Sequence, residues 1–117
     1  MDIEQFREYC LSLPAVNEEC PFGPDTLVFK VRSKIFALCS ISEFGEVNLK
    51  CDPERAVEFR EEYSQIRGAY HMNKKHWNSV DVLTLQNAFI EELVLHSYDL
   101  VKSGLTKKEK SEIELGN

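Results

Sequence analysis

Long apolar runs are missing from this chain. No stretch approaches the roughly 20 residues that a helix needs to cross a bilayer, which argues against a membrane-spanning segment or a membrane partner. Paired-cysteine motifs are missing too. Cys10, Cys20, Cys39 and Cys51 form no C-x-x-C and no zinc-finger spacing, so buried structural thiols are expected, with no metal site and no cofactor. An excess of basic residues is absent. Net charge is −6, which excludes a whole-surface polyanion binder, because phosphate recognition needs positive potential. Only a local basic element remains open. Internal repeats and low-complexity tracts are lacking, and the opening Met1-Asp2-Ile3-Glu4-Gln5 carries no basic-then-apolar leader. A cytoplasmic location is therefore expected.

What the chain does carry is patterned hydrophobicity on the scale of one domain, with 43% apolar and 29% charged residues in 117. Asp2 with Gln5 three positions on predicts a capped helix over 3–12, with Ile3, Phe6, Cys10 and Leu13 on one face. Pro14, Pro21, Gly23 and Pro24 predict an aperiodic loop over 14–25. Three alternating runs, Thr26–Val31, Ile35–Ile41 and Val47–Cys51, are joined by short turns and predict an antiparallel meander. Asp52-Pro53 starts a second helix with Ala56, Phe59 and Tyr63 inward and Glu54, Glu58, Glu61 and Glu62 outward. Ile66–Met72 and His76–Val82 predict a second hairpin around Asn73-Lys74-Lys75. Thr84 caps a last helix whose stripe holds Leu85, Phe89, Leu93, His96 and Leu100, with Ile90, Val94 and Val101 beside it, closed by Gly104. The expected fold is a two-layer α+β domain over residues 1–105: five mostly antiparallel strands, helices on one face, and a frayed charged tail over 106–117.

Three ordered blocks carry a family resemblance. They are Pro21-Phe22-Gly23-Pro24-Asp25-Thr26-Leu27-Val28-Phe29-Lys30-Val31, Asn48-Leu49-Lys50-Cys51-Asp52-Pro53 and Tyr70-His71-Met72-Asn73-Lys74-Lys75-His76-Trp77-Asn78. Together they resemble the MmcQ/YjbR-like family over nearly the whole chain. The resemblance implies the order α-β(3)-α-β(2)-α, a DNA-binding role through a "double wing" motif, and no catalytic activity. Ser33 and Ala69 stand where the family pattern often has Gly and Pro, which bears on the turns flanking the hairpins.

The candidate nucleic-acid site is the hairpin 67–78. Arg67, Lys74 and Lys75 gather there without an acidic residue, Lys74 and Lys75 facing phosphates and Asn73 and Asn78 facing base edges. Lys30, Arg32 and Lys34 on the first hairpin would form the other wing. The plainer alternative is a solvated turn whose lysines blunt a sheet edge. Trp77 reads as a core anchor or as a stacking surface. A small-ligand pocket from Asp25, His71, His76 and Trp77 is a further alternative. So is a protein-interaction domain of the secretion-chaperone kind, as a homodimer or on another partner. His96 reads as a boundary histidine rather than a catalytic one.

Overall fold

The computed structural model describes residues 1–69 and 72–116. Among these, α1 (Ile3–Ser12) leads into β1 (Val16–Glu19), β2 (Thr26–Val31), β3 (Lys34–Ser40) and β4 (Glu46–Lys50). Then come α2 (Pro53–Glu62), β5 (Ile66–Gly68), β6 (Trp77–Asp81), α3 (Asn87–Ser103) and α4 (Lys107–Glu114). The class is α+β as expected, but the sheet has six strands rather than five, in the order β1-β2-β3-β4-β6-β5, every neighbouring pair antiparallel.

The sixth strand lies inside the segment expected to be loop. Ala15 takes a left-handed φ of 64° and turns the chain so that Val16–Glu19 pairs along β2. Glu18 is held from the helix side, where Arg7 Nε donates to it at 2.9 Å. Toward the other end of the chain, where a frayed tail over 106–117 was expected, Lys107–Glu114 form the helix α4. Thr106 and Glu109 form a reciprocal capping box, and Leu105 and Ile113 are buried in the core.

Period-2 alternation sorts the sheet into two faces. The row Leu27–Cys39–Val47–Val80–Ile66 is buried throughout and faces the helices. Phe6 of α1 meets Phe29 edge-on at 5.6 Å, and Tyr98 of α3 meets Phe36 at 5.5 Å. The next row, Glu19–Val28–Leu38–Asn48–Ser79–Arg67, crosses all six strands on the opposite, helix-free face. A bulge between Phe29 and Lys30 lets both Phe36 and Ala37 turn inward.

α3 begins at Asn87 rather than at Thr84. Thr84 instead bonds Asp81, whose carboxylate also accepts from the backbone of Leu83 and Thr84 after β6. The buried stripe of α3 is Ile90, Leu93, Val94, Ser97, Tyr98 and Val101, so it centres on the expected flank of Ile90, Val94 and Val101 rather than on Phe89, His96 and Leu100. Ser97 Oγ donates to the carbonyl of Phe36 at 2.6 Å and accepts from the amide of Lys50 at 2.9 Å. It thereby satisfies backbone groups where the bulged ladder cannot.

Candidate functional site

The second hairpin is not a protruding ribbon. β6 lies between β4 and β5 and pairs with β4 over Trp77–Asp81, while β5 is only three residues long. What projects is the β5–β6 connection. In its described part, Asn73 Oδ1 accepts from the Lys75 amide at 3.0 Å, and the Asn73 carbonyl accepts from the amides of His76 and Trp77. Asn73 is thus spent largely on the turn itself. Lys74 and Lys75 are exposed, and among the described residues no carboxylate lies within ion-pair distance of either.

The other expected cations are mostly paired. Arg67 reaches across β6 to Glu46, its Nη2 at 2.7 and 2.6 Å from the two carboxylate oxygens, and this partner raises its pKa. Lys30 is ion-paired with Glu19. Arg32 Nη2 lies 2.9 Å from Glu112 of α4, beside Ser33, whose hydroxyl donates to Glu109. That hydrogen bond leads the causes that lower the Glu109 pKa. Lys34 Nζ donates to the carbonyl of Gly104 at 2.9 Å.

Asn78 is not a base reader. Strand parity puts it on the helix side, 3% exposed, where its Oδ1 accepts from Arg60 Nη1 at 3.0 Å. The same nitrogen donates to the Lys74 carbonyl at 2.8 Å, so Arg60 pins the connection to α2. Arg60 was not singled out from sequence. Its signal was the one base in the last turn of an acidic helix. A groove of about 660 Å³ runs alongside, with Lys74 and Lys75 on one wall and Glu54 and Glu58 of α2 on the other.

The four-residue pocket is not assembled. Asp25 bonds Ser40 Oγ and the Ser42 amide, which lower its pKa, at the sheet end that holds Glu46 and Asp81. Trp77 pairs with Lys50 at the other end, about five residues or roughly 17 Å along the strands. His71 lies outside the described residues. His76 is half-buried, its carbonyl accepting from the Cys51 amide. Trp77 is also no core anchor. It is half-buried, on the helix-free face, and belongs neither to the core cluster nor to the residues bordering it.

Both hairpin ends nevertheless open at the same end of the sheet. The 32–33 turn follows Val31 and precedes Lys34, and its end of β3 aligns through Ala37–Leu49 and Lys50–Trp77 with the β5–β6 connection. Lys34, Lys50, Lys74 and Lys75 mark that end. Lys50 was not among the expected site residues, since only the register puts it opposite Trp77.

The three buried cysteines are poorly placed to act as nucleophiles. Burial pushes the Cys39 thiol up to about 12 and the Cys51 thiol up to about 11, and raises Cys10 further, so all three stay protonated. His96 accepts from the Asp52 amide through Nε2 at 3.1 Å, and burial with the nearby Arg55 lowers its pKa. No group of three or more His, Cys, Asp or Glu among the described residues could hold a metal ion, and no helix there is long and apolar enough to cross a membrane.

The sequence-family model for YjbR matches residues 11–100. This chain belongs to the YjbR family. Among its YjbR relatives, the uncharacterized protein YbdF of Escherichia coli O157:H7 is 37% identical over 115 residues, covering 97% of this chain and 94% of the relative. The uncharacterized protein YjbR of Escherichia coli K12 is 30% identical, over 68% of this chain and 69% of the relative. The YjbR fold is similar to the crystal structure of Deinococcus radiodurans DR2400, a protein with a DUF419 domain. That likeness has a TM-score of 0.87 at 39% identity, over 96% of this chain and 87% of that one. A Pseudomonas syringae protein follows at a TM-score of 0.74 and 27% identity, over 86% and 99% of the two chains.

Proposed function

We propose that the domain is a non-catalytic nucleic-acid-binding module that contacts phosphates from the sheet end carrying the β5–β6 connection. The observation behind this is the contrast between Lys74 and Lys75, exposed and without a carboxylate partner among the described residues, and Lys30, Arg32 and Arg67, each held by a glutamate. The footprint is smaller than six cations on two wings. Lys74 and Lys75, with Lys34 as a third, give a log–log salt slope of roughly −1.8 to −2.7, hence weak binding at physiological salt. Glu54 and Glu58 across the groove weaken it further.

Anisotropy of labelled DNA at about 50 mM salt tests the reading. Lys74→Ala with Lys75→Ala should remove most of the binding and flatten the slope by about 1.8. Arg67→Ala, whose cation is already matched, should not weaken binding. Absence of binding by the parent chain, or binding untouched in the double variant, overturns the proposal.

The protein-interaction reading has one observation in its favour. A depression of about 530 Å³ lies on the helix-free face, lined in part by Leu38, Asn48, Ser79, Glu46 and Arg67. Its lining mixes charged and hydroxyl side chains with Leu38 and Cys39, which suits a hydrated contact better than capture of a wholly apolar segment.

A further inference from the structure

Trp77 is the one tryptophan of the chain. Its side chain makes no hydrogen bond or ring contact with any described residue and takes no part in the core. A large aromatic with an unmatched indole N–H, left half-open on a sheet face, calls for an explanation. Its surroundings supply one. Lys50 is its direct cross-strand neighbour on the same face, with Cβ atoms about 5 Å apart by sheet geometry. Lys74 and Lys75 precede it by three and two positions in a turn that closes on its own amide. Lys50 therefore shares the face of Trp77, while Lys74 and Lys75 stand round the same end of the sheet, on the side that borders α2.

That combination discriminates between nucleic-acid forms. A duplex hides its base faces in the stack and is read by elements that enter a groove. The strands β5 and β6 form no free ribbon of that kind, since β6 is paired with β4 throughout. An unpaired base offers a free π-face, and open sheets with an aromatic and flanking cations hold single strands in this way.

We infer that this corner takes single-stranded nucleic acid, with one base stacked on the Trp77 indole and neighbouring phosphates met by Lys50, Lys74 and Lys75. The inference rests on the nucleic-acid reading above and narrows it to a strand form and a stacking residue.

Because Trp77 is the sole tryptophan, intrinsic fluorescence reports on the site directly. The full chain is titrated with an oligo-dT of about 15 nucleotides and with a duplex of equal length at about 50 mM salt, following tryptophan emission and anisotropy of the labelled DNA together. The expected result is quenching by oligo-dT, reversed by salt, and affinity at least tenfold above that for the duplex. Trp77→Ala should weaken oligo-dT binding about tenfold or more and Trp77→Phe much less, as a stacking contact requires. Circular dichroism melts confirm that both variants are folded. Duplex bound as tightly as oligo-dT with unchanged emission, or oligo-dT bound equally by Trp77→Ala, overturns this inference and leaves the broader reading standing. No anisotropy change with either ligand removes both.

Discussion

At the scale of the residue, side chains with the same sequence signature part company according to which face of the sheet they occupy. Trp77, Asn78 and Ser79 are consecutive, yet only Asn78 points toward the helices, where a buried amide must be bonded. Its partner is a cation, and charge-assisted bonds are the stronger kind. Asn78→Ala should therefore destabilise the domain by about 1.5–3 kcal/mol, read from the urea midpoint, rather than alter any base preference. His96 gives a pH signature. Its neutral ring accepts the Asp52 amide, and burial, then Arg55, lowers its pKa in the native state below the unfolded value near 6.5. The unfolded chain then binds the proton first as pH falls. The contribution of His96 is complete above about pH 6.5 and is lost on acidification through that value toward the lowered native one. Urea midpoints at pH 7.5 and 5.5 should differ in that direction, and His96→Gln should shrink the difference.

At the scale of the element, the two that went unread lie in segments where local signals are weak or contradictory. Val16-Asn17-Glu18-Glu19 has low strand propensity and prolines on either side. It becomes a strand because β2 offers a free edge and Arg7 holds Glu18 against α1. α4 has one inward apolar residue in eight, so no periodicity announces it. Its legible signal was Thr106-Lys107-Lys108-Glu109, an S/T-x-x-E box that marks a helix start. If α4 is docked as described, Ile113→Ala should lower stability by about 1–3 kcal/mol, at or below the usual range for a buried isoleucine because the site borders solvent. A frayed tail would register nothing in the same melt. The helices that were read correctly, α1 and α2, each begin with an aspartate whose carboxylate caps the third backbone amide after it, a wholly local arrangement.

At the scale of the whole molecule, order and class were legible because alternation and turn chemistry are written locally. The balance of charge at the site was not. Glu46 answers Arg67 across an intervening strand, and Glu112 answers Arg32 from an element expected to be unfolded. Only the register reveals such pairs, so a basic cluster in the sequence contracts to a few lysines at one corner. The fold order also governs what the domain does with its own copies. The sheet ends on β1 with four residues and on β5 with three, the first carrying Glu18 and Glu19 and the second a glycine. Borders so brief and so charged give a neighbouring chain almost no main-chain ladder to extend. At high concentration the molecule is thereby guarded against fibrillar self-association, even though no helix covers one face of its sheet.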